Sequence, residues 1–148
     1  LQGFSECFRV LKPGGQIIVS SWAPIAQSPA MTMMFGALRA AKPDLPAPQE
    51  NINSLENQAT FKHELQQAGF TNISVKRVTH AIDVSSARGF WNEMIKGSAP
   101  IAMLKQSIAD DALWDSMQKT ALSYLDNALP EVPTSLSSDA WVGIASKP

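Results

Sequence analysis

The chain has a single cysteine, Cys7, among its 148 residues. That excludes a disulfide framework within the chain and disfavours a cysteine-based zinc site. A reducing, cytoplasmic setting is the simplest expectation. No apolar run approaches the roughly 20 residues that a membrane-spanning helix needs. No lysine- or arginine-rich run occurs either. Twelve basic and thirteen acidic residues give a formal charge of -1, so nothing argues for nucleic acid or an anionic membrane as partner. The scattered Asp, Glu and His residues show no metal-ligand spacing. Gly-x-Gly occurs nowhere, and no internal repeat or low-complexity tract is present. What remains is an ordinary globular composition, 45% hydrophobic and 17% charged, with the length of one domain and enough chain for a real core.

Leu1, Phe4, Phe8 and Leu11 recur at helical spacing, with Cys7 and Val10 beside them. They predict a helix over about 1–11 that starts with neither cap nor leader, as in a sequence entered in the middle. Cys7 reads as a small buried thiol. Lys12-Pro13-Gly14-Gly15 ends the helix. The β-branched run Ile17-Ile18-Val19 then predicts a strand over 16–22, buried on both faces. After a loop, Met31, Met34, Phe35 and Leu38 mark a helix over 30–41. Pro43, Pro46 and Pro48 break the connection that follows, the best candidate for a mobile lid. Asn57 caps a helix through Ala68, stopped by Gly69 and Phe70.

The next strand is predicted over 71–84. Its apolar residues change phase between Ile73/Val75 and Val78/Ile82/Val84, which a β-bulge near Lys76-Arg77 would reconcile. Ser85 or Ser86 caps a helix bearing Ala87, Phe90, Trp91, Met94 and Ile95 and ending at Gly97. Pro100 suits the first turn of a short helix to Ser107. Asp110 caps a longer helix to Ala128, with Leu113, Met117, Ala121 and Tyr124 along one side, and Pro130 and Pro133 stop it. A last strand is predicted over 140–146.

The segment Phe8-Arg9-Val10-Leu11-Lys12-Pro13-Gly14-Gly15-Gln16-Ile17-Ile18-Val19-Ser20 resembles the approach to the fifth strand of class I S-adenosylmethionine-dependent methyltransferases. It is most similar to the ubiquinone/menaquinone-biosynthesis type. Leu65-Gln66-Gln67-Ala68-Gly69-Phe70-Thr71-Asn72-Ile73 is similar to the helix and turn that enter that fold's sixth strand. The resemblance extends over essentially the whole chain. It implies an α/β, truncated Rossmann-like methyltransferase fold of about three strands (16–22, 71–84 and 140–146) and about six helices. The last strand would be antiparallel and central. Residues 1–148 would form a single partial domain, the C-terminal part of a methyltransferase domain.

The family binds S-adenosylmethionine on the first half of its sheet, through a glycine-rich turn leading from a strand into a helix. Gly14-Gly15 runs the other way, from helix into strand, so it reads as a turn and not as an anion site. The intact parent would use S-adenosylmethionine; no cofactor and no metal is expected for this chain alone.

Methyl transfer is an in-line displacement, so holding the reactants aligned is much of the work. A general base is needed only where the nucleophile must lose a proton, and no catalytic residue is assigned. Ligands in such sheets lie at the carboxyl ends of the parallel strands. Candidate substrate contacts are therefore Ser21 and Trp22, then Met31 and Phe35 on the following helix. The helix after the second strand adds Trp91, Met94 and Ser98. Each apolar member also has an ordinary core reading. His63, His80 and the pair Asp110-Asp111 read as non-catalytic, the last as a helix cap.

The expected function is thus a methyltransferase fragment, acting in its intact form on a small-molecule acceptor and inactive alone. The alternative is a non-catalytic small-ligand-binding or oligomerisation domain built on half of the fold. An open hydrophobic edge at strand 16–22 predicts self-association.

Overall fold

A computed structural model describes residues 2–45, 55–129 and 131–148. The elements are α1 (Gln2–Val10), β1 (Gln16–Trp22), a 3-10 turn (Ile25–Gln27), α2 (Pro29–Ala41), α3 (Gln58–Gln67), β2 (Thr71–Val84), α4 (Ala87–Gly97), α5 (Ala99–Ser107), α6 (Asp111–Ala128) and β3 (Thr134–Ser146). The class is α/β, with six helices and three strands among the described residues. Of the proposed lid, Pro46 and Pro48 lie outside the described residues, as does Pro130.

Local chemistry accounts for the boundaries. The Asn57 side chain accepts from the Ala59 and Thr60 N–H groups, at 2.8 and 3.1 Å. Asp110 does the same for Ala112 and Leu113. Ser86, not Ser85, accepts from Gly89 N–H at 3.0 Å. Each satisfies donors that the first helical turn leaves unpaired. Gly69, at φ +96°, stops α3 in the left-handed region, where a Cβ is penalised.

The sheet order is β1-β3-β2, so the last strand is central. β1 pairs antiparallel with β3, from Gln16 opposite Ser146 to Trp22 opposite Ala140. Side-chain bonds join Thr71 to Ser146, and Arg77 and Thr79 to Asp139. The start of β2 thus lies beside the end of β3, and β2 runs antiparallel to it as well. β3 begins at Thr134, earlier than Ala140. Its first part is rich in Thr, Ser and Asp, which hide a strand from any apolar pattern.

By its contacts the described chain divides into two compact units. The first comprises 2–28, 55–80 and 139–148. Its core is Ile17, Phe61, Leu65, Phe70, Val75 and Ala145, with Phe4, Cys7, Phe8 and Leu11 packed against it. Phe4 stacks on Phe61 at 5.9 Å, and Phe8 meets Phe70 edge-on at 5.1 Å. Lys147 donates to the carbonyls of Phe8 and Leu11, at 2.7 and 2.9 Å, which serves the carbonyl-rich end of α1. The apolar face read for α1 is therefore only half-buried, and Val10 is exposed.

The expectation that β1 is buried on both faces is not met. Ile17 is buried, but Ile18 is 70% and Trp22 60% exposed. The pleat sends alternate residues to opposite faces, and this unit's core covers only the Ile17 side. In β2 the phase change is real: Val75 and Val84 are buried while Val78 and His80 are exposed.

The second unit comprises 29–45 and 81–138. Its core joins Met34, Ala37 and Leu38 of α2, Phe90 and Trp91 of α4, Ile101 of α5, and Trp114, Ala121 and Leu125 of α6. The buried line of α6 is Trp114, Met117, Ala121 and Leu125, so the expected line through Leu113 and Tyr124 is turned by one residue. Leu113 is exposed. An indole removes more apolar area from water than a leucine, which favours the Trp114 phase. α2 and α6 approach closely: a Cβ on Gly36 would lie 2.2 Å from the Tyr124 hydroxyl oxygen.

Candidate functional site

Gly14 adopts φ +76°, which suits glycine. Its N–H donates to the Lys147 carbonyl at 2.9 Å, and the Gly15 N–H donates to the Lys12 carbonyl at 2.9 Å. Lys147 N–H returns a bond to the Gly15 carbonyl at 2.8 Å. Both glycine donors are spent within the protein, so the pair has none to offer a methionine carboxylate or any other anion. The residues at this glycine pair do not fit S-adenosylmethionine.

In the first unit, Ser21 and Trp22 end β1. Ser21 is half-buried, and Trp22 is exposed. The chain then continues the ladder, with Ala23 N–H donating to the Asp139 carbonyl at 3.0 Å. Asp139 is the residue that sequence reasoning missed. Its carboxylate is buried and accepts from Arg77 and Thr79, while its own N–H donates to the buried Ser28 hydroxyl at 3.1 Å. The Arg77 guanidinium first, and the Thr79 hydroxyl second, hold the carboxyl below the usual aspartate range against the opposing effect of burial. Such an acid is ionised and occupied, which suits anchoring rather than proton transfer. Residues 62 positions apart in sequence carry no local signal of this pairing.

In the second unit, Met31, Phe35 and Met94 pack half-buried against the core that contains Trp91. Ser98 sits between α4 and α5, and its N–H donates to the Met94 carbonyl at 2.9 Å. Of the seven residues singled out, four thus share one core.

Trp91 carries a second feature. It is buried, and its indole N–H has no partner among the described residues. Trp141, by contrast, donates to the Glu56 carbonyl at 2.6 Å. An unmet buried donor costs about 1–3 kcal/mol, so each one asks for an explanation.

Open grooves border α4 among the described residues. One, of about 280 Å³, is lined by Asp83, Ser85, Asn92, Glu93 and Lys96 among others. Another, of about 180 Å³, lies between α4 and α6 and is lined by Arg88, Trp91, Asn92, Asp115, Gln118, Lys119 and Leu122. Among the described residues, no cluster of acids, histidines and cysteine has metal-binding geometry, and no helix is long and apolar enough to cross a membrane.

Part of this chain is similar to a methyltransferase. It is 38% identical over 79 residues to methyltransferase ktnA of Aspergillus niger, a match covering 49% of this chain and 25% of that protein. The match thus spans about a quarter of that relative's length. No family profile matches the chain. Among solved structures, a phosphoethanolamine N-methyltransferase 2 of Haemonchus contortus, in complex with phosphomonomethylethanolamine and S-adenosylhomocysteine, aligns over 98% of this chain and 29% of its own. Its TM-score is 0.36 at 15% identity. A Bacillus halodurans protein assigned as a methyltransferase aligns over 98% and 61%, with a TM-score of 0.42 at 16% identity.

Proposed function

We propose that this chain is the C-terminal part of a class I S-adenosylmethionine-dependent methyltransferase domain of the ubiquinone/menaquinone-biosynthesis type. The intact protein would methylate a small molecule in a cytoplasmic setting. The observation that carries the reading is the 38% identity over 79 residues to a methyltransferase. The central antiparallel last strand supports it, because the resemblance of Arg9–Gly15 implies that topology. Candidate acceptor contacts are Ser21 and Trp22 in the first unit and, separately, Met31, Phe35, Trp91, Met94 and Ser98 in the second.

The isolated chain is expected to be inactive, since it contains no Gly-x-Gly turn of the kind that the resemblance assigns to the methyl donor. Calorimetry with S-adenosylmethionine should give no saturable heat. A micromolar affinity would overturn this part of the reading. The family assignment is tested in the coding DNA, where an upstream open frame should encode Gly-x-Gly after an apolar strand.

The isolated chain is also expected to pair with a second copy. β1 is an edge strand of the described sheet, and Ile18 and Trp22 lie exposed on one face of it. Light scattering should give a mass that rises with concentration, and a constant monomer mass would remove this element.

A further inference from the structure

We propose that the groove between α4 and α6 binds a small organic carboxylate, held between Arg88 and Lys119 beside the Trp91 indole. The inference stands whether or not the protein transfers methyl groups. Arg88, Trp91 and Asn92 fall at i, i+3 and i+4 on α4, and Asp115, Gln118, Lys119 and Leu122 fall at i, i+3, i+4 and i+7 on α6. Each helix therefore turns one row of side chains toward the same groove.

Three observations point to an anion there. First, Arg88 and Lys119 have no carboxylate partner among the described residues. Second, Arg88 occupies the first turn of α4, which holds no acidic residue. A cation is unfavourable at that end of a helix, where its field and the helix's own add up. An anion bound alongside would reverse that penalty. Third, the Trp91 N–H is buried and unmet, although an indole buried this deeply ordinarily finds an acceptor. Trp91 is among the residues that line this groove.

Charge and shape then narrow the ligand. Two cations against Asp115 leave a single net positive charge in the groove, which suits a monoanion better than a dianion. The Asp115 carboxylate is engaged by the Gln118 amide at 3.4 Å, which leaves the two cations to the ligand. Leu122 supplies an apolar wall, so an anion attached to a small apolar body fits better than an inorganic ion.

The test uses the full chain, benzoate and phenyl phosphate, and the indole N–H signals of the four tryptophans in nitrogen-proton NMR. The Trp91 signal is identified by its loss in Trp91→Phe. Benzoate should shift it saturably, with a Kd of about 1 mM or tighter, and bind more tightly than phenyl phosphate. Arg88→Gln with Lys119→Gln should weaken binding by about tenfold or more, and Asp115→Asn should tighten it about threefold. Arg88, Lys119 and Asp115 are exposed, so these variants keep the fold even where Trp91→Phe does not. The proposal is overturned if the Trp91 signal does not respond, if the double variant binds equally well, or if phenyl phosphate binds more tightly.

Discussion

The two units solve the same packing problem with different materials. The first sets aromatic rings on a sheet and carries the ion pair Arg77–Asp139, whose carboxylate is buried and whose guanidinium is half-exposed. It also leaves Ile18 and Trp22 in solvent. The second is built mainly of helices, carries no comparable pair among the described residues, and contains an unmet indole donor. A sheet offers two faces, and a core on one leaves the other uncovered. A helix needs only a stripe of contact. The first unit therefore leaves Ile18 and Trp22 exposed on one strand, while the exposed apolar residues of the second, Met103, Leu113 and Val132, are scattered.

The sharpest way to separate the units is to damage one core. Phe61 is fully buried in the first. Phe61→Ala should cost roughly 3–5 kcal/mol in urea unfolding, with amide exchange accelerated most in the first unit. Equal acceleration in both would mean that the two cores unfold as one.

In the second unit, Gly36→Ala drives a methyl group into the Tyr124 ring and should cost about 1–3 kcal/mol. Tyr124→Ala in the same chain should recover part of that loss, a non-additivity expected of residues in contact. Strict additivity would show that the close approach of α2 and α6 is not the cause.

Asp139 separates the units by pH. Its folded-state proton affinity is lowered, so the unfolded chain binds that proton more tightly. The stabilisation is complete above the ordinary aspartate range and fades as pH falls through the lowered folded value. Asp139→Asn should reduce the melting temperature at neutral pH and flatten its fall in acid. An unchanged acid limb in thermal melts would assign the acid sensitivity to other carboxylates.

The smallest effect on stability belongs to the uncovered face. Ile18→Thr with Trp22→Thr should change stability by no more than about 0.5 kcal/mol, while abolishing the concentration dependence of the mass in light scattering. Association that persists in this variant would move the contact away from β1.

Most element boundaries were legible because their causes are local. Asn57, Ser86 and Asp110 cap the helices their positions announce, and Gly69 stops α3. The phase of α6 is not legible in the sequence because Leu113 and Trp114 are both apolar neighbours, and only packing selects between them. The early part of β3 was hidden because its Ser, Thr and Asp residues are polar, although the strand is central. Of the candidate contacts, Trp91 was singled out from helical spacing, but its unmet donor was not visible there. Arg88 and Lys119 carry no signal in the sequence, because each is an ordinary surface charge until α4 and α6 pack.

The sequence by itself determined the order of helices and strands and the resemblance carried by Arg9–Gly15, since periodicity, caps and short motifs act within a few residues. Only the tertiary structure decided which face of β1 stays uncovered, that Asp139 is gripped by Arg77, and that Arg88 and Lys119 share a groove. Those facts depend on residues far apart in the chain, and their energies exist only once distant segments meet.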